Sequence, residues 1–216
     1  MNLPILYSYR RCPYAMRARM ALKLADIAVE VREISLREKP AHMLQVSPKA
    51  TVPVLILPDQ TVLDESLAIM SYAAQVCAEK QHEGNIDAVQ ALLHKPAGAS
   101  LFISQLITQN DTQFKRALDG YKYPEKYPQK MQIEHRAAGE VFLADLESLL
   151  QKNHYLLAEK PSLADVAIFP FVRQFAAVDA VWLALAPYPK LRAWLNEWVN
   201  SDLFVSIMTK NPTYVG

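Results

Sequence analysis

YRRCPYAMRARMAL, residues 9–22, places one cysteine directly in front of a proline, at the point where an apolar helical pattern begins. Proline is tolerated at the first helical position because its missing N–H would be unpaired there anyway. Pro13 therefore predicts the start of a helix that continues to about Ala25. Cys12 precedes this helix and faces the positive end of its dipole.

The charges around Cys12 favour a reactive thiolate, since residues 1–25 contain no Asp or Glu. A helix N-terminus and nearby cations lower the pKa of a thiol from about 8.5 to roughly 3.5–7.5. The alternative is a small buried cysteine beside a solvated charged face, but the junction with Pro13 favours the reactive thiol. The basic residues concerned are Arg10, Arg11, Arg17, Arg19 and Lys23.

The first 80 residues change periodicity over short distances, as expected for a small sheet covered by helices. Strands are predicted at residues 3–9, 29–36, 52–57 and 61–63, and helices at 13–25, 41–45 and from 65 onward. The last two strands form a hairpin around the turn residues 58–60.

The chain turns polar at residues 79–87, where we predict a linker. Beyond the linker no strand is predicted, so the second half is expected to be an all-helical domain. Helical spacing covers residues 88–107, 136–151, 163–178 and 190–199.

Composition limits the class of function. With 51% apolar residues among 216, the chain can bury a sizeable core. A net charge of +1 disfavours nucleic-acid binding through a broad basic surface. Neither a membrane-spanning run nor a secretory signal is visible, so we expect no membrane association and a cytoplasmic location. The five histidines have no metal-ligand spacing, and the two cysteines are too few for a disulfide framework.

The motif CPYA, residues 12–15, resembles the active-site motif of the thioredoxin superfamily, and the whole chain is similar to cytosolic glutathione transferases. Among these it most resembles the cysteine-containing, omega-like group and related bacterial proteins. The resemblance implies a thioredoxin-like, glutathione-binding domain at residues 1–80 and an all-helical domain at residues 88–216. Ala15 replaces the second cysteine of two-cysteine members, so an external thiol would complete any redox cycle.

Within this resemblance, glutathione is the co-substrate and Cys12 the catalytic residue. Pro53 matches a proline that a cis peptide bond precedes in the superfamily, which would turn the backbone of Val52 toward an extended peptide. The alternative is an ordinary proline at the start of a strand. Glu65 and Ser66 match a pair at a helix start that would hold the ammonium and carboxylate of the γ-glutamyl group, although the same pair also suits helix capping.

Further candidates follow from the resemblance. Lys39 matches a lysine that reaches the glycyl carboxylate of glutathione in omega-like relatives, although by itself it is also an ordinary surface lysine. Tyr7, Ser8 and Tyr14 could each point at the bound sulfur. Tyr14 is included among the glutathione-binding residues, whereas Tyr7 is interpreted as part of the packing of its strand.

Three other segments are assigned structural roles. Ser162 and Asp165 fit a capping box at the start of an apolar helix, which we assign to stability. Cys77 lies on a predicted helix and is interpreted as a buried, inert thiol. The segment 110–128 is interpreted as a solvated loop between helices, with part of an acceptor-substrate wall as the alternative.

Three functions remain open. The first is a glutathione-dependent thiol transferase that uses Cys12 on mixed disulfides or small oxidised substrates. The second is a transferase that conjugates glutathione to electrophiles, and the third is a non-catalytic binding module with the same fold. The resemblance also implies a homodimer. The sequence does not name the physiological acceptor.

Overall fold

The computed structural model describes residues 2–82 and 99–215. The chain divides into two compact units, the first combining Met1–Leu93 with Asp202–Gly216 and the second comprising His94–Ser201. The elements of the first unit are β1 (Ile5–Ser8), α1 (Pro13–Leu24), β2 (Glu30–Glu33), α2 (Ala41–Val46), β3 (Val54–Ile56), β4 (Val62–Leu63) and α3 (Ser66–His82).

The sheet of the first unit has the strand order β2-β1-β3-β4. β1 runs parallel to β2 and antiparallel to β3, and β3 pairs with β4 in the predicted hairpin. Successive side chains of β1 point to opposite faces of the sheet. Tyr7 is buried in a cluster with residues of β3 and α2, and Leu6, its neighbour on β1, is also fully buried. This arrangement confirms the predicted thioredoxin-like fold.

The second unit is helical, as predicted. A π-helical turn at Asn110–Phe114 joins the first two helices among the described residues of this unit, and a short 3-10 helix follows at Pro124–Lys126. The helices are α4 (Ser100–Gln109), α5 (Lys115–Lys122), α6 (Gln132–Leu150), α7 (Leu163–Ala176), α8 (Ala180–Leu185) and α9 (Pro189–Asn200).

The interpretation of residues 110–128 as a solvated loop is wrong, because most of this segment is helical. Four of its side chains fall on one helical face at i, i+3, i+4 and i+7, and all four are buried. They are Phe114, Ala117, Leu118 and Tyr121. This spacing was visible in the sequence, but the polar residues between the four obscured it.

The C-terminal residues join the first unit, although the sequence pattern placed them in the helical domain. Here α10 (Asp202–Ile207) packs against α1, and the chain beyond it reaches the edge of the sheet at β2. Tyr214 N–H donates to the carbonyl of Glu33 over 2.7 Å, and Thr213 forms an isolated parallel bridge with Glu33. Such a return depends on long-range contacts that local periodicity does not encode.

The predicted linker lies mostly outside the described residues. Residues 79–82 continue α3, whereas residues 83–87 and the first part of the predicted helix 88–107 are not described. The domain limits at residues 80 and 88 therefore stay a prediction. Among the described residues, no helix combines the length and apolar character needed to cross a membrane.

Candidate active site

Cys12 occupies the N-cap position of α1, in extended backbone geometry, and Pro13 is the first helical residue. The backbone N–H of Cys12 donates to the carbonyl of Tyr9 over 3.0 Å. The carbonyl of Cys12 accepts the first helical hydrogen bond from the backbone N–H of Met16 over 2.9 Å. The side chain of Cys12 is half-buried. The turn between β1 and α1 therefore holds the thiol at the helix N-terminus, as the sequence predicted.

The second part of the site is the turn before β3. The Val52–Pro53 peptide bond is cis, as the resemblance implied. Because β3 pairs directly with β1, this turn lies beside the start of α1. The Cys12 Sγ is 3.7 Å from the carbonyl oxygen of Val52, within reach of a thiol hydrogen bond.

The third part is the start of α3, where Glu65 and Ser66 behave differently. The carbonyl of Glu65 accepts the helical bond from Ile69, so Glu65 lies at the N-cap. Its side chain is 64% exposed and pairs with Lys49 over 2.7 Å. Such an exposed pair contributes little to stability and opens readily. The carboxylate of Glu65 is therefore accessible to another cation.

Ser66, by contrast, is only 3% exposed. Its hydroxyl oxygen accepts a hydrogen bond from Nε of Arg17 over 3.0 Å. Arg17 is 1% exposed, and its guanidinium carbon lies 5.0 Å from the centre of the Tyr14 ring. Arg17 is therefore a buried cation beneath the start of α3, and not part of a solvated basic surface.

Arg19 is also buried, and it organises the turn that carries Cys12. Its Nε donates to the carbonyl of Ile207 over 3.1 Å, which ties α1 to α10. Its terminal nitrogens donate to the Ser8 hydroxyl and to the carbonyls of Tyr9 and Arg10. One guanidinium thus fixes the three residues that lead from β1 toward the turn that carries Cys12.

Arg19 interacts electrostatically with Cys12. Burial lowers the pKa of Arg19 to about 10, while the nearby charges of Glu33 and Cys12 oppose that shift. Arg19 thus stays cationic at neutral pH and lies close enough to Cys12 to attract a negative charge there. Lys23 is exposed, and both Lys23 and Arg19 line a cavity of about 370 Å³ between α1, β2 and the C-terminal residues.

The sequence missed the specific roles of Arg17 and Arg19. Apolar residues surround both arginines along α1, and a helix that is apolar on every face is buried. Residues 15–22 are in fact all buried. That pattern predicts two buried arginines, whereas the composition around Cys12 indicates only a general basic environment.

The remaining predicted residue, Lys39, is not brought into this cluster by any measured contact. It is half-buried in the loop before α2. Within the described ranges, no hydrogen bond or ion pair joins Lys39 to Cys12, Val52, Glu65 or Ser66. Its role in binding glutathione stays a prediction.

The hydroxyl groups of β1 are engaged elsewhere. Tyr7 is fully buried, as its interpretation as a packing residue requires, and its hydroxyl bonds to Nδ1 of His42 over 2.9 Å and to Arg32 over 3.0 Å. Ser8 is also fully buried, and its hydroxyl accepts a hydrogen bond from Arg19.

Two further observations concern the second cysteine and possible metal ligands. Cys77 is fully buried on α3, and burial raises the pKa of its thiol, which agrees with an inert role. Among the described residues, no group of three His, Cys, Asp or Glu side chains is arranged to hold a metal ion.

Comparisons with known proteins identify the family of this chain. The family model described as "Glutathione S-transferase, N-terminal domain" matches residues 6–81, and the one described as "Glutathione S-transferase, C-terminal domain" matches residues 134–197. Together they cover the sheet with its helices and much of the helical unit.

Individual relatives are more distant. Glutathione S-transferase omega-1 of Mus musculus is 26% identical over 190 residues, which cover 88% of this chain and 74% of that protein. A probable maleylacetoacetate isomerase of Caenorhabditis elegans is 25% identical over 198 residues, which cover 86% of this chain and 84% of that protein. The solved structure of a Sulfitobacter glutathione transferase homologue with bound glutathione covers 96% of this chain and 97% of its own, with a TM-score of 0.74 and 18% identity. That likeness shows a common fold.

Proposed function

Because the chain belongs to the glutathione S-transferase family, we propose that it is a glutathione-dependent thiol transferase with Cys12 as its nucleophile. One observation carries this proposal: the Cys12 thiol lies at the N-terminus of α1, 3.7 Å from the Val52 carbonyl beside the cis proline. The two relatives differ in the activities that their names give, at nearly equal identity. The choice between activities therefore rests on the position of Cys12.

Glutathione is the co-substrate in this proposal. Its cysteinyl backbone pairs with Val52 beside Pro53, and the start of α3 receives the γ-glutamyl group. The exposed carboxylate of Glu65 exchanges Lys49 for the ligand's ammonium, and Ser66 receives the carboxylate. Lys39 and Tyr14 are the weaker proposed contacts.

The proposed reaction has two disulfide exchanges. The Cys12 thiolate attacks the glutathionyl sulfur of a mixed disulfide, so a Cys12–glutathione disulfide forms and the substrate's thiolate leaves and takes a proton from water. The thiolate of a second glutathione attacks the glutathionyl sulfur of this adduct, which releases oxidised glutathione and restores Cys12. A mixed disulfide and one glutathione thus become a thiol and oxidised glutathione.

Conjugation to electrophiles, the alternative activity, would need a group that activates the thiol of glutathione. The Tyr7 and Ser8 hydroxyls are buried and bonded to other side chains, which disfavours both for that role. The cysteine mechanism needs neither hydroxyl.

Mass spectrometry after incubation with oxidised glutathione tests the proposed function. We expect one glutathione adduct, located on Cys12 by peptide mapping and removed by reduced glutathione. Cys77 should stay unmodified in the same sample because it is fully buried. Absence of an adduct on Cys12 would contradict the proposal and favour conjugation or a binding role.

Calorimetry tests the placement of the γ-glutamyl group. We expect Glu65→Ala and Ser66→Ala each to weaken glutathione binding about tenfold or more, because each removes a charge-assisted contact. Glu79→Ala removes an exposed carboxylate farther along α3 and should leave the affinity unchanged. Unchanged affinity in both site variants would show that this placement is wrong.

We extend the proposal to the setting in which the protein acts. As in its family, we expect a homodimer in the cytoplasm, acting on small or thiol substrates and not on nucleic acid or membranes.

A further inference from the structure

The contact between Arg17 and Ser66 joins the second turn of α1 to the first residue of α3. Both residues are buried, and the bond runs from Nε of Arg17 to the Ser66 hydroxyl oxygen over 3.0 Å. The guanidinium lies against the Tyr14 ring. Burial and the contacts with Tyr14 on α1 and Ser66 on α3 fix the position of the Arg17 side chain.

This contact determines what the Ser66 hydroxyl can do. A serine hydroxyl has one proton to donate and two lone pairs that accept. Because Nε–H of Arg17 occupies a lone pair, the hydroxyl proton remains available for another acceptor. A carboxylate accepts hydrogen bonds only, so it is the partner that this orientation suits.

The charges at the start of α3 also favour a carboxylate ligand at Ser66. Arg17 adds a cation beneath a helix N-terminus, where backbone N–H groups already favour an anion. On the exposed side, Glu65 and Asp64 supply carboxylates, with Lys49 between them at 2.7 and 3.5 Å. The buried cation of Arg17 and the carboxylates of Glu65 and Asp64 match an α-amino acid head group, which carries one charge of each sign.

We propose that Arg17 is a positioning residue for the γ-glutamyl carboxylate of glutathione, acting through Ser66. This inference rests on the proposed function, since it requires glutathione at this site. Arg17 makes the start of α3 selective for ligands that carry a free carboxylate beside the amino group.

The test compares two ligands by calorimetry. One is glutathione, and the other is 4-aminobutyryl-cysteinylglycine, which lacks only that carboxylate. We expect the wild-type protein to prefer glutathione about tenfold or more. In Arg17→Met, glutathione binding should fall to the level of the analogue, while binding of the analogue stays the same.

Three comparisons separate positioning from a general structural role. Arg17→Lys keeps the charge but lacks the planar guanidinium, so it should retain only part of the preference. Arg17→Met combined with Ser66→Ala should lose no more than Arg17→Met alone, because both act on one contact. Arg37→Met removes the same charge from an exposed position and should keep the full preference.

The outcomes distinguish the two proposals. A wild-type protein that binds no glutathione would overturn the proposed function. A wild-type protein that binds both ligands equally would overturn the role of Arg17 and the placement of the carboxylate at Ser66, whichever variants fold, and would leave the thiol-transfer function of Cys12 standing. An Arg17→Met or Arg17→Lys protein that keeps the full preference would overturn the role of Arg17.

Discussion

Cys12→Ser should reduce thiol transfer by about 10³-fold or more in kcat/KM, the order of loss expected when a covalent nucleophile is removed. A serine hydroxyl is not ionised at neutral pH, and its oxygen cannot form the disulfide on which both exchange steps depend. Glutathione binding should persist, because Val52, Glu65 and Ser66 are unchanged. The measurement is glutathione-dependent reduction of a small mixed disulfide, together with calorimetry of glutathione binding.

Cys77→Ser is the matched control, since it removes the other cysteine of the chain. Cys77 is fully buried, and burial raises the pKa of its thiol, so activity should be retained. Iodoacetamide should alkylate Cys12 at neutral pH faster than it alkylates free cysteine. Full activity in Cys12→Ser, or alkylation no faster than that of a free thiol, would favour the conjugating function instead.

Local signals and the family resemblance together predicted the backbone of the candidate site. Pro13 predicts the helix start from the local pattern alone, whereas the roles of Pro53 and of the Glu65-Ser66 pair follow from the resemblance to glutathione transferases. Each signal acts over a few residues, through a restricted backbone angle or a capping position. The sequence therefore located these groups without knowledge of the packing.

The side-chain contacts could not be predicted in the same way. Arg17 meets Ser66 across two helices, and Arg19 meets Ile207 near the far end of the chain. Contacts of such sequence separation have no periodic signature. The sequence showed only that cations surround Cys12, whereas the structure gives Arg17 and Arg19 separate partners.

Among the substitutions discussed, Asp165→Ala should have the largest effect on the free energy of unfolding. It is completely buried at the start of α7, where it completes the predicted capping box with Ser162. Its carboxylate accepts hydrogen bonds from Ser162 N–H and hydroxyl, from Leu156 N–H and from Trp194 Nε1, all within 3.0 Å. Burial raises the pKa of this carboxyl, and the four donors oppose that shift. The carboxylate joins α7, α9 and the segment before α7.

We expect Asp165→Ala to lower the free energy of unfolding by about 3 to 5 kcal/mol, because each buried donor left unpaired costs about 1 to 3 kcal/mol. Urea unfolding followed by tryptophan fluorescence measures this, since the three tryptophans, Trp182, Trp194 and Trp198, all belong to the helical unit. Asp145→Ala removes an exposed carboxylate from α6 and should change stability by less than about 0.5 kcal/mol.

Trp194→Phe tests whether the hydrogen bond between Trp194 and the Asp165 carboxylate contributes to the loss of stability in Asp165→Ala. It removes one donor and keeps an aromatic ring, so alone it should cost less than Asp165→Ala. In the Asp165→Ala background the same change should cost still less, because it removes a donor that is already unpaired, and such coupling is the mark of residues in one network. If the two losses simply add, Asp165 stabilises the helical unit through its cap alone, and the link to Trp194 contributes nothing.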